Sequence, residues 1–215
     1  MKTLLMEIYE KLYKAYGPRH WWPGETPFEV MVGAILTQNT SWKNVEKAIQ
    51  KLKENGSLNP NGIHRLKAGP LASLIRSSGY YRIKAKRLKA FAGFLFEEYG
   101  GDVKKMKKRR LMELREELLG VNGIGPETAD SILLYGLQKP IFVVDAYTRR
   151  ILSRHGIVPG KAFYEAIQNF FMDHLPHDER LFNEYHALLV HLGKNVCKKI
   201  PECDRCPIKG IERSK

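Results

Sequence analysis

Leu118-Leu119-Gly120-Val121-Asn122-Gly123-Ile124-Gly125-Pro126-Glu127-Thr128-Ala129-Asp130 is the stretch whose reading decides the fold. Leu111, Leu114 and Leu118 recur at helical spacing and run into Gly120, which can take the left-handed conformation found at helix C-termini. Gly123 and Gly125 bracket one apolar residue, Ile124, able to plug the space between two helices. Pro126 suits the first turn of a new helix, where its missing N–H costs nothing. The spacing predicts a tight turn between two helices, with bare backbone amides beside a positive helix end. Such a turn holds a phosphate oxygen without reading a base. Gly120, Gly123, Ile124, Gly125 and Thr128 are its candidate DNA-binding residues. Glycines spaced this way can also merely join helices, and the hairpin by itself carries no catalytic meaning.

Working outward, helical periodicity dominates. Leu5, Ile8, Leu12 and Ala15 recur at three- and four-residue steps, as do Val45, Ala48, Ile49 and Leu52. The pattern returns at Leu88, Ala92, Leu95 and Tyr99, and at Tyr185, Leu188, Leu189 and Leu192. Residues 28–36 are apolar nearly all round, as suits a helix buried on every side. Asn55-Gly56, Asn59-Pro60-Asn61-Gly62, Gly100-Gly101 and Pro159-Gly160 mark short loops. Only Ile141-Phe142-Val143-Val144 reads as a short extended piece. The expected fold class is all-α, with about ten helices and essentially no sheet.

The chain has 215 residues, and 36 Lys+Arg against 23 Asp+Glu give a formal charge of +13. That surplus points to a polyanionic partner, because each neutralised phosphate releases a counterion, although a basic surface can also be functionally neutral. Lys104–Arg110 is a basic run that reads equally as solvated loop or as DNA contact, and Lys84, Lys86, Arg87 and Lys89 crowd one helix in the same two ways. No segment resembles a signal peptide, and no apolar run approaches about 18 residues. A soluble, cytoplasmic, monomeric protein is expected, with no membrane partner.

An acid follows the apolar run: Val143-Val144-Asp145-Ala146-Tyr147-Thr148-Arg149-Arg150. At the start of a helix, Asp145 is either an N-cap or a partly buried functional carboxylate. The order of a G-I-G hairpin, a helix and then V-D-A-Y-T-R-R resembles the endonuclease III branch of the helix-hairpin-helix base-excision glycosylases. The likeness extends through Gly79–Lys86, Leu36-Thr37-Gln38-Asn39-Thr40 and the C-terminal cysteines, nearly the whole chain. It implies a DNA-repair glycosylase acting on double-stranded DNA, with Asp145 as catalytic acid. Breaking an N-glycosidic bond builds positive charge on the sugar, and a fixed carboxylate stabilises that charge and orients or deprotonates the attacking water.

Family members that also cut the strand carry a lysine where this chain has Glu127, and a carboxylate cannot form a Schiff base. The resemblance therefore implies a monofunctional enzyme that leaves an intact abasic site; alternatively, Glu127 only favours a helix N-terminus. His20-Trp21-Trp22-Pro23-Gly24 and Trp42 complete the pattern. An extruded base needs a new π surface, and cationic alkylated purines suit electron-rich indoles. The W-W-P and L-T-Q-N-T segments resemble the 3-methyladenine glycosylase subgroup, which places Trp22, Trp42 and Glu127 around the base and Gln38 in the duplex beside the vacated position. Core packing of the tryptophans and a capping role for Gln38 stay open. So do mismatched thymine or uracil, oxidised bases, and a silent damaged-DNA binder.

All three cysteines, Cys197, Cys203 and Cys206, lie within ten residues, which suits a metal site or chance crowding rather than a disulfide framework. The loop resembles the family's [4Fe–4S] loop, which needs four ligands. Here the first gap is five residues rather than six, and Glu212 stands where the fourth cysteine would be. A cluster with a non-cysteine ligand, a vestigial loop, or another metal such as zinc all remain open. His186 and His191 read as hydrogen-bonded helix histidines, with His191 the nearer fallback ligand, and Asp130 reads as structural. The expected architecture is two helical lobes. One comprises residues 23–134 and ends in the hairpin (about 111–135). The other joins residues 1–22 to 135–215, with Asp145 lining a cleft between the two lobes.

Overall fold

The computed structural model describes residues 1–212. Among them are twelve α-helices and no strand, as the periodicity implied. In chain order these are α1 (Lys2–Tyr16), α2 (Pro27–Leu36), α3 (Trp42–Glu54), α4 (Pro60–Arg65), α5 (Ala68–Leu74) and α6 (Tyr81–Tyr99). They are followed by α7 (Val103–Lys107), α8 (Leu111–Gly120), α9 (Pro126–Ser131), α10 (Ala146–Arg154), α11 (Tyr164–Met172) and α12 (Glu179–Asn195). The count exceeds the expected ten because α4, α5, α7 and α9 run only five to seven residues, too short for a periodic stripe to show. No helix is long and apolar enough to cross a membrane among the described residues.

The chain divides into two compact units, Pro23–Lys139 and Met1–Trp22 together with the chain from Pro140 onward. In the Pro23–Lys139 unit, α2 starts where Thr26 caps Glu29 N at 3.2 Å and Pro27 occupies the first turn, and every residue from Phe28 to Leu36 is buried. It packs against α3, α6, α9 and a π-helical turn, Ile132–Gly136, that continues α9. The apolar stripes of α3 and α6 close this core.

In the other unit, Leu5, Ile8 and Leu12 of α1 pack on α12, and the buried Tyr185 hydroxyl donates to Leu5 O at 2.8 Å. Phe142 stacks on Phe171 with centroids 3.7 Å apart. Gly193 lets α12 approach α10, since a Cβ there would sit 2.6 Å from the Tyr147 ring. Ala15, expected on the α1 stripe, is exposed, because the buried face ends at Leu12.

Helices α8 and α9, the two arms of the hairpin, are joined by one buried ion pair. Asp130 has no exposed surface, and its carboxylate accepts from Arg115 Nε at 2.7 Å and from Nη2 at 3.1 Å. Removing one partner of such a pair leaves the other charge uncompensated in a low-dielectric setting, at a cost of about 3–5 kcal/mol. We expect Arg115→Ala to lower the melting temperature by roughly 10 °C. A calorimetric melt within about 2 °C of the native one would show that the pair does not secure the hairpin.

Candidate active site and nucleic-acid interface

The hairpin forms as the glycines allow, with one difference in which glycine turns. Gly120 is the last residue of α8 and is not in the left-handed region; the chain leaves through Val121 with φ −77° and ψ 125°. The reversal falls on Gly123, with φ +86°, a conformation that glycine adopts at little cost. A Cβ at that position would also meet Arg87 Cγ at 2.3 Å, so the turn excludes a side chain twice over. Ile124 is buried, as expected of a plug, and its N–H donates to Val121 O at 3.0 Å. Gly125 starts α9 with no side-chain cap, and neither it nor Gly120 would crowd a Cβ. The first amides of α9 have no intrahelical acceptor, and Gly125 at its head is exposed.

Gln38 and Thr128 meet at this turn. The Gln38 amide nitrogen donates to Gly123 O at 3.1 Å and to Thr128 Oγ1 at 2.9 Å, while Arg87 Nη1 donates to the Gln38 amide oxygen. Glu127, on the first turn of α9, is exposed. Trp42 opens α3, half-buried, beside Pro23, Glu29 and Ser77 on a cavity of about 660 Å³. None of the hairpin residues lines that cavity.

The basic helix α6 sorts differently from expectation. Lys84 is no surface cation. It is 1% exposed and its ammonium donates to Leu36 O at 2.8 Å and Ser78 O at 2.6 Å. Burial, with Arg87 nearby, lowers its pKa to about 8. In the Lys104–Arg110 run, Arg109 pairs with Glu117 and Arg110 with Glu113, so its two arginines are committed to α8.

Asp145 fulfils the capping half of its expectation. Its Oδ1 accepts from Thr148 N at 2.7 Å, so it starts α10. The side chain is only 12% exposed, and its Oδ2 lies 3.8 Å from Nε2 of the buried His186. Burial pushes the His186 pKa below its ordinary value, against the pull of the Asp145 carboxylate, so the imidazole is neutral near pH 7. Sequence reasoning left His186 as a helix histidine; the signal available was its place within the buried stripe of α12 between Phe182 and Leu189. Trp22 is half-buried, its ring 5.2 Å from that of Trp21 in an edge contact. His191 packs on Tyr16 and approaches Asn195.

The three cysteines line one cavity of about 190 Å³ together with Arg154, Lys209 and Glu212. Arg154 Nη1 donates to the buried Cys197 Sγ at 3.3 Å. The Cys206 pKa is raised, chiefly by burial and further by Cys197 and Cys203. Among the described residues no three His, Cys, Asp or Glu side chains converge on a single ion.

The neutral His186 gives the fold a pH dependence of definite sign. Below about pH 6.5 the unfolded chain takes up a proton at this residue before the native state does, so stability falls as pH falls. We expect the urea midpoint of the native protein to drop between pH 7 and pH 5 more steeply than that of His186→Gln. Parallel slopes would exclude His186 as a proton-linked group.

Comparison with known proteins places the chain in a family. Residues 32–177 match the HhH-GPD superfamily base excision DNA repair protein model. A Methanocaldococcus jannaschii protein provisionally named a DNA repair glycosylase is 50% identical over 214 residues, covering 99% of this chain and 97% of that one. Endonuclease III of Thermotoga maritima is 33% identical over 208 residues, 96% of this chain and 91% of its own length. Among solved structures, the Helicobacter pylori 3-methyladenine DNA glycosylase bound to 1,N6-ethenoadenine superposes with a TM-score of 0.77 at 30% identity, covering 90% of this chain and 96% of that one. With a family model spanning 146 of 215 positions (32 through 177) and relatives matched end to end, the chain belongs to the HhH-GPD superfamily of base excision DNA repair glycosylases.

Proposed function

We propose that this chain is a monofunctional DNA glycosylase that hydrolyses the N-glycosidic bond of an extruded alkylated purine such as 3-methyladenine. The observation that carries the reading is the fixed, largely desolvated carboxylate of Asp145, tied at one oxygen to Thr148 N and set beside neutral His186 at the other. As the bond from sugar C1′ to the base breaks, its electron pair leaves with the base and positive charge grows on the sugar. Asp145 stabilises that charge at close range. Water then bonds C1′ and gives its proton to the carboxylate, so the products are a free base and an intact abasic site.

Glu127 supports the monofunctional half of the reading. An exposed carboxylate at the start of α9 offers no amine for a Schiff base. Trp22 and Trp42 supply indole surface for an electron-poor base, and Gly123, Gly125 and Thr128 grip phosphate. The purine preference is supported by the Helicobacter pylori relative, whose ligand is a purine adduct, at 30% identity; the thermostable thymine-DNA glycosylase shares the fold at 19%.

Asp145→Asn separates catalysis from binding, because asparagine caps a helix as well as aspartate does. We expect the variant to melt like the native protein and bind duplex DNA as well. Release of 3-methyladenine from methylated DNA should fall by roughly a hundredfold or more. A native protein with no release to lose would leave a pure binder. Borohydride treatment of native enzyme on abasic DNA should trap no adduct, and an efficient adduct would overturn the role given to Glu127.

The cysteine loop supports a second, subordinate assignment. Cys197, Cys203 and Cys206 would hold a [4Fe–4S] cluster, with Glu212 on the same cavity wall as the oxygen ligand. When bound, such a cluster staples the loop that carries Lys198 and Lys199 and takes no part in bond cleavage. Anaerobically purified protein should then carry about four irons and absorb near ~400 nm. Iron-free, colourless protein would make the loop vestigial without touching Asp145.

A further inference from the structure

Tyr16, the last residue of α1, carries a hydroxyl that is sealed from solvent and has no hydrogen-bond partner among the described residues. Leaving a buried hydroxyl unbonded is costly, so such a group in a native fold needs an acceptor from outside the protein's own atoms. The phenol ring is fixed from one side by His191, with centroids 4.5 Å apart. At the backbone, Tyr16 O accepts from Arg19 Nη1 at 3.2 Å. The charged groups that act on the hydroxyl belong to the cysteine loop. Burial raises its pKa most, Cys206 raises it further, and Arg205 lowers it. The phenol is therefore a donor held near the Cys206 end of the loop, within a single unit.

The other end of the loop shows the same arrangement with its bond made. Arg154 Nη1 donates to the buried Cys197 Sγ at 3.3 Å. Cys206 is half-buried, and Cys203, whose O accepts from Cys206 N at 3.2 Å, is exposed to water. Two of the three sulfurs thus have a fixed donor near them, one bonded and one without an acceptor. A spare donor at that place fits a group that brings further electron-rich sulfur into the cavity, as a sulfide-bridged cluster does.

We propose that Tyr16 is an outer donor of the cysteine site, bonding sulfur at the Cys206 corner as Arg154 does at Cys197, and that both make the bound group easier to reduce. The proposal rests on the cluster assignment above and adds to it a residue that ligates no iron. A hydrogen bond or a positive charge at a ligating sulfur draws off electron density. It thereby favours the more electron-rich state and raises the reduction potential. Tyr16 does this without titrating, since only its donor hydrogen is used.

The full chain would be purified anaerobically, its iron and sulfide counted, and its visible absorption followed against a viologen dye of known potential. One electron passes from the reduced dye to the protein-bound group, and no proton moves. Tyr16→Phe removes the hydroxyl and keeps the ring against His191. It should hold native iron and melt no more than about 2 °C below the native protein. Its equilibrium constant for reduction should fall about tenfold, equivalent to about 59 mV for one electron. Tyr13→Phe, which alters an exposed phenol of the same helix, should leave that constant native. A role confined to packing would move the melt and not the equilibrium. Should Tyr16→Phe melt early, Tyr16→Met fills the space with a flexible side chain and tests the same constant.

A folded, iron-loaded Tyr16 variant with the native constant assigns the hydroxyl to solvent and overturns the proposal. So does an equal shift in Tyr13→Phe. Native protein without iron removes the cluster assignment and this proposal with it, a failure read from the iron count rather than from the dye.

Discussion

Residue 123 has to reverse the chain at φ +86° while the stem of Arg87 occupies the volume that any Cβ would need, and the rest of the hairpin inherits its geometry from that constraint. Because the turn is this tight, Ile124 is driven into the core and Gly125 is left at the head of α9 with its backbone open. Because it is this close to α6, Arg87 can reach across to Gln38, and Gln38 in turn to Gly123 O and Thr128. Three segments far apart in sequence therefore meet at one turn. The Arg115–Asp130 pair plays the complementary part from below, joining the two helical arms by their buried faces. The phosphate grip proposed for this turn needs such rigidity, since backbone amides have no side-chain rotamers with which to adapt.

The acid follows a different logic. A carboxylate taken out of water is costly unless something replaces the lost hydration, and here the replacement comes from the start of α10. Thr148 N donates to one oxygen, and the positive end of the helix faces the whole group. The second oxygen, 3.8 Å from a neutral imidazole, is not tied into a salt bridge that would neutralise it. Were His186 cationic, the pair would be stabilised as an ion pair, and the carboxylate would have less charge to offer the sugar cation of the proposed reaction. Burial of His186 keeps that from happening near neutral pH. On the proposed reading, capping and catalysis are one requirement: the bond that starts the helix also fixes the direction of the charge.

Much of this was legible along the chain. Buried stripes as regular as those of α3, α6 and α12 leave little choice of element or face. What stayed hidden depends on long-range partners. Nothing in Gly120 or Gly123 as residue types says which one takes the positive φ; that is decided by where α8 leaves the core through Val121. Gln38 finds its partners 49, 85 and 90 positions away, beyond any local pattern. Lys84 was misjudged for a subtler reason. It stands four residues before Leu88, on the apolar stripe of α6, so its position was readable as interior even though its charge argued for the surface. The same holds for His186 in α12. A polar residue in register with an apolar stripe is the signature that both shared.

The cysteine loop shows how the acid's helix is held at its far end. Arg150 donates to Cys197 O at 2.8 Å and to Gly193 O at 2.7 Å, and Arg154 donates to Lys198 O at 2.6 Å and Lys199 O at 2.9 Å. Arg154 lies in the last turn of α10, where a cation is favourable, while Asp145 lies at its N-terminal end, where an anion is. The helix is thereby polarised with matched charge at both ends, and the loop is fastened to it through backbone carbonyls and, at Cys197, through the sulfur as well. The loop's place on α10 is thus set by two arginine side chains of the helix that Asp145 caps.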